Sequence, residues 1–348
     1  MIFDKNQTEF KDCIQEKVWE LATRQVPLDI TLPYVPDEYK SACVDYYNFC
    51  QNLFAAMYEN PELFGFEIDP SQPDWMNKKQ VEFYFWLIGH FGKYLTGNRC
   101  EMSAGTFQKI IKKFNPKSVE ALESFGFVFE KNIMTAVISN HLYPGMFVAA
   151  NAICDAGYAN YKVNCDYFMM YCDYRGFAKY KRTYEDLHFV FSDKRRQIAE
   201  KLHNYCIGNK IMPQKCNYFF RVDYKYKNKV VHIINAKDKN KYVLNIGFAE
   251  IGSKAFKRIE EEIEKYDDAA EFKDYIINNF AKCQNCRQEC WNKTNRREAF
   301  GKKFISCGTN IRILDPDEND LKYIFRLFNF RTLVIKESID DPYYPGSG

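Results

Sequence analysis

Four thiols, Cys283, Cys286, Cys290 and Cys307, stand at the spacing C-x2-C-x3-C-x16-C. They are the residues of this chain whose chemistry can be named. Two cysteines separated by two residues turn a knuckle that aims both sulfurs at one ion. Cys290, four positions after Cys286, lies one helical turn further on. Gly301-Lys302 reads as a hairpin turn, and Phe304-Ile305 as a short strand that returns Cys307 to the other three. Zinc takes four tetrahedral ligands, and four thiolates leave no open position. The expectation is therefore a structural zinc site, not a catalytic one. The spacing matches neither common ferredoxin pattern.

The same stretch is basic. Between Lys282 and Lys303, seven cations face only Glu289 and Glu298, a local net of +5 in a chain whose net charge is +3. Part of that excess offsets the charge of four thiolates on a dication. The rest makes Arg287, Trp291, Lys293, Arg296 and Arg297 a candidate surface for nucleic acid or an acidic protein.

A second candidate is aromatic. Residues 158–184 hold seven tyrosines interleaved with Lys162, Arg175, Lys179, Lys181 and Arg182. Such a composition stacks bases and holds phosphates, or simply packs a sheet against a helix. A small-molecule pocket over that sheet would be lined by Tyr167, Tyr171, Tyr224 and Phe248. That pocket is the basis of the alternative function, an enzyme or sensor. No nucleophile elbow, phosphate-binding glycine loop or H-E-x-x-H motif is present. His188 and His203 read as members of one helix, fifteen residues apart, too far to share a metal.

These groups must be positioned by an α+β fold. Thirty Phe and 25 Tyr in 348 residues imply thick cores, and 46% hydrophobic content with 27% charge is ordinary for a globular chain. No apolar run is long enough to span a bilayer. The isolated cysteines, Cys43 and Cys50 among them, fall on apolar helix faces, and no leader is expected before Asp4. A cytoplasmic, reducing setting is the expectation.

Residues 1–158 read as mostly helical, with helices over 4–24, 37–58, 75–96 and 145–157. The segment 75–96, apolar nearly all round, is expected at the centre. Within 103–139 the order is helix, helix, hairpin, as in a winged helix. Its would-be reading helix, Pro116–Ser124, carries Lys117 against Glu120 and Glu123, where a phosphate-facing helix should be basic. A packed structural subdomain is favoured there. Residues 159–281 read as an antiparallel sheet with helices, beginning with a strand at Val163–Cys172 and a helix at Asp186–Cys206. Residues 282–314 form the zinc-ribbon-like module, and 315–348 a helix begun by Asp315-Pro316-Asp317-Glu318 with its tail. The function expected is that of a non-catalytic binding protein whose zinc module braces a basic recognition surface.

Overall fold

The computed structural model describes residues 3–5, 7, 9–161, 166–214, 221–236, 243–247, 254–280, 296–305 and 310–340. The chain divides into two compact units, Met1–Lys181 and Arg182–Gly348. Helices and antiparallel sheets occur in both, so the fold is α+β. Among the described residues no helix is long and apolar enough to cross a membrane.

The first unit opens with α1 (Cys13–Thr23), α2 (Leu28–Thr31), α3 (Asp37–Glu59) and α4 (Asp74–Gly92). Asp12 caps α1 by accepting from the Gln15 amide at 2.8 Å, so this helix begins nine residues later than the sequence suggests. The segment before it is held by the indole of Trp19, which donates to the Asp4 carbonyl at 2.8 Å. Although α1 is rich in charge, it packs against both α3 and α4. Its charges are paired to allow this: Lys17 meets Glu82 at 2.8 Å, Glu16 meets Lys78 at 3.1 Å, and Glu20 meets Arg24 at 2.6 Å.

Next come β1 (Leu95–Thr96), β2 (Arg99–Ser103), α5 (Ala104–Ile111), α6 (Pro116–Ser124), β3 (Phe127–Lys131) and β4 (Thr135–Asn140). The sheet order is β1-β2-β4-β3, antiparallel throughout. Helix α4 is followed by two strands, two helices and a hairpin, with β4 lying between β2 and β3. At the hairpin tip Ile133 is 98% exposed. The helix α4 is not buried all round, as its composition suggested. Val81, Phe85, Ile88 and Phe91 face the core, but Trp75 is 57% and Phe83 47% exposed.

The unit closes with α7 (Met146–Tyr161), which packs on α3 and α4, and α8 (Asp166–Met170). Three sequence expectations change here. Gly157 does not end its helix; it lets the ring of Phe168 lie directly on α7, where a Cβ would clash. The boundary expected between 158 and 159 therefore falls inside α7. Within Val163–Cys172, the described residues from 166 onward hold α8, not a strand. Phe168, Met169 and Cys172 are all buried, and a helix buried on every side has no periodicity to separate it from a strand.

The second unit contains α9 (Asp193–Gly208), β5 (Met212–Pro213), β6 (Arg221–Tyr226), β7 (Lys229–Asn235), β8 (Val243–Gly247), α10 (Lys254–Ile263) and α11 (Ala269–Asn279). Then follow the hairpin β9 (Arg296–Ala299) and β10 (Lys302–Ile305), β11 (Asn310–Leu314) and α12 (Glu318–Asp340). The main sheet runs β11-β8-β7-β6-β5, every pair antiparallel. Lys227 and Asn228, both at positive φ, make the two-residue turn between β6 and β7. The helix α12 packs on β7, β8 and α9. It starts at Glu318, after Asp315 has turned at positive φ to meet Arg195 at 2.8 Å.

Two glycines, Gly105 and Gly126, give opposite expectations. Gly126 has φ +84°, and a Cβ there would lie 2.7 Å from Leu142 Cγ and 2.8 Å from Asn140 Oδ1. That oxygen already accepts from the amides of Leu142 and Tyr143. Gly105, in α5, has nothing within 4 Å of an added Cβ. Gly126→Ala should cost about 2 kcal/mol or more, and Gly105→Ala should add about 0.5 to 1 kcal/mol. Urea unfolding of the two variants checks both signs.

Candidate functional site

In the second unit the expected helix Asp186–Cys206 is two elements. A 3₁₀ turn at Tyr184–Leu187 is closed by a capping box, in which the Thr183 amide donates to Asp186 Oδ2 at 2.7 Å. The helix α9 then starts afresh after Ser192. The break folds His188 back toward the face of α9. His203 stacks on Tyr184 with ring centres 4.0 Å apart and planes 11° apart, and His188 meets the same ring edge-on at 5.2 Å. Two histidines expected four helical turns apart thus share one tyrosine.

The series continues inward. His203 Nδ1 lies 2.8 Å from the Tyr224 hydroxyl, which comes from β6. Tyr224 stacks on His232 of β7 at 4.4 Å, and His232 stacks on Phe328 of α12 at 4.1 Å. Three of the chain's five histidines belong to this column. Its outer end is half-exposed, with Glu200 Oε1 3.9 Å from His188 Nε2, too far for a hydrogen bond. Burial pulls His203 below its ordinary value, against an opposing pull from Glu185. Its Nδ1 is committed to the phenol of Tyr224. Burial also holds the Tyr184 phenol protonated.

His232 differs from the other two. It is fully buried, neither ring nitrogen has a hydrogen-bond partner, and desolvation pushes its pKa down to about 3. It contributes a flat ring to the stack and leaves a donor and an acceptor unsatisfied.

The residues singled out from sequence fall in three places. Cys283, Cys286, Cys290, Cys307, Arg287, Trp291, Lys293 and Phe248 lie outside the described residues. Arg296 and Arg297 lie on β9, opposite Ile305 and Phe304. Tyr167 and Tyr171 belong to the first unit, buried with ring centres 4.9 Å apart, whereas Tyr224 belongs to the second. The expected pocket residues Tyr167 and Tyr171 thus fall in one unit and Tyr224 in the other. Residues 158–181 fold with the first unit, and Tyr224 is enclosed by His203 and His232. Among the described residues no group of three or more His, Cys, Asp or Glu could hold a metal.

The described flanks of the cysteine segment are close together. Phe280 pairs with Ile311 in an isolated antiparallel bridge, which puts their Cα atoms about 5 Å apart. Cys283 is three residues beyond Phe280, and Cys307 four before Ile311, reaches of about 10 and 14 Å. Between them, β9 and β10 pair from Ala299–Lys302 to Arg296–Ile305, around a turn at Phe300 and Gly301, both at positive φ. The turn is docked: the Phe300 amide donates to Glu260 at 3.2 Å, and Lys302 pairs with Asp274.

No protein-family model, curated protein or solved structure matches the chain.

The column was missed because His188 and His203 were assigned to one helix. The signal was Ser192-Asp193, a helix start inside that span. Its buried end gives a pH expectation. His232 is lowered on folding, so the unfolded chain binds the extra proton between pH 6.5 and about 3. The stability that depends on its neutral form is complete above pH 6.5 and is lost as pH falls, at about 1.4 kcal/mol per pH unit. In His232→Phe this loss should disappear. The variant's stability relative to wild type, measured by urea unfolding, should therefore rise steadily from pH 7 to pH 5.

Proposed function

We propose that this is a non-catalytic recognition protein of a reducing, cytoplasmic setting. In this reading Cys283, Cys286, Cys290 and Cys307 hold a structural zinc ion that braces a basic hairpin against a polyanionic partner, nucleic acid before acidic protein. The observation that carries it is the bridge between Phe280 and Ile311. It anchors both ends of the cysteine segment at one edge of the main sheet. The open end of the hairpin, Arg296 opposite Ile305, sends its two arms out together. Cys290 lies six residues before one arm and Cys307 two residues after the other. These short chain lengths from described anchors support a meeting of the four thiols at one ion.

The residues present fit such an ion chemically. Four cysteines are a complete donor set for zinc, and seven surrounding cations offset the negative charge of the thiolates. The zinc would supply shape, holding Arg287, Trp291, Lys293, Arg296 and Arg297 on a fixed scaffold. The described cysteines are free thiols, and burial pushes Cys43 and Cys100 up to about 12, which keeps them inert.

The purified chain should contain about one zinc per molecule. It should be retained on heparin, with retention falling as salt rises. Cys283→Ser should lose the metal, and Lys293→Ala/Arg296→Ala/Arg297→Ala should lose retention while keeping it. Full zinc content in Cys283→Ser, or unchanged retention in the triple variant, contradicts the reading.

A further inference from the structure

The first unit carries a surface that the zinc reading does not use. Along α4, Trp75 and Phe83 project into solvent, 57% and 47% exposed, and Lys79 between them places its ammonium 4.6 Å from the Trp75 ring. Further along, Trp86 is half-buried: Phe114 tilts against it at 5.7 Å, His90 lies 3.7 Å from its ring centre and Lys113 5.0 Å over it. From Trp75 to Trp86 the rings cover about 16 Å of helix.

Beside this line lies the turn between α5 and α6. Lys109, Lys112, Lys113 and Lys117 are all exposed there. None of these four, nor Lys79, forms an ion pair among the described residues. Glu82 is taken by Lys17. Glu67, Asp74, Glu120 and Glu123 stand nearby and offset all but one of the five lysine charges, so what sets this face apart is the clustering of four lysines at the α5–α6 turn, with Glu120 and Glu123 further along α6. A cavity of about 170 Å³ opens between Glu67, Gln80, Phe83, Lys113, Asn115 and Ser118, at the N-terminus of α6, with one carboxylate and one cation in its lining.

We propose that this face of α4 and the α5–α6 turn binds single-stranded nucleic acid, with bases on Trp75 and Phe83 and phosphates on Lys109, Lys112, Lys113 and Lys117. The chemistry selects that partner over others. Exposed aromatic rings need unstacked base faces, which a duplex hides. Protein interfaces deplete lysine, and this face is bordered by it. A duplex read by α6, as in the usual winged-helix docking, would meet Glu120 and Glu123. The cations that could hold phosphate lie instead at the start of α6 and before it. The inference does not rest on the zinc reading, since all its residues belong to the first unit.

The test is fluorescence anisotropy on the full chain with a labelled twelve-residue oligothymidylate, alongside a duplex of equal length and polyglutamate. Thermal unfolding would confirm that each variant is folded. The single strand should bind tightest. Trp75→Ala/Phe83→Ala should weaken it about ten-fold or more with the salt slope unchanged. Lys112→Ala/Lys113→Ala/Lys117→Ala should flatten the slope by about 2. Both losses should persist in an Arg296→Ala/Arg297→Ala background, which separates this surface from the hairpin. Equal binding of polyglutamate, preference for the duplex, or affinity indifferent to Trp75 and Phe83 would overturn the proposal even if heparin retention by the hairpin survives.

Discussion

The bridge of Phe280 with Ile311 is the constraint from which the account of the second unit follows. It joins the end of α11 to the edge strand β11, so everything between them is a loop closed at its base. Closing a loop of this length has an entropic cost that grows slowly with size, and two anchored ends remove most of it before any ligand arrives. The hairpin β9–β10 shortens the free path again, because its own arms leave side by side.

The column of rings in the same unit follows a different logic. His203, Tyr224, His232 and Phe328 come from a helix, two strands and a second helix; His203 meets Tyr224 edge-on, and Tyr224, His232 and Phe328 stack face to face. Flat rings fill that layer well, but His232 brings two polar atoms with no partner. An unpaired buried donor is costly, of order 1–3 kcal/mol, so packing there is achieved against a standing penalty. In the first unit the arrangement is reversed. There α1 buries charge, but every buried charge has an opposite one beside it on α1 or α4.

The parts of this architecture set by local chemistry were legible in the sequence. The span Pro116–Ser124 appears as α6, because Asn115 and Pro116 mark its start and Gly126 the turn after it. Lys227-Asn228 makes its hairpin for the same reason. What could not be read was decided by tertiary contact. Gly157 looks like a helix end and is a landing site for Phe168. The segment containing Tyr167 and Tyr171 is buried at nearly every described position, so it has no helical periodicity to read, and it forms α8. Among the candidate site residues, the thiols were visible by spacing alone. The meeting of His188 with His203 required knowing that the chain bends before Ser192. The exposed face of α4 was hidden by its own composition, since Trp75 and Phe83 read as core and project from the surface.

The central claim is that one ion gathers four sulfurs at the base of the loop anchored by Phe280 and Ile311. X-ray absorption at the zinc edge of the purified chain tests it most directly. The account predicts a single shell of four sulfurs at about 2.3 Å. A shell containing nitrogen or oxygen, or a chain that folds and binds its partner with no zinc at all, would contradict it.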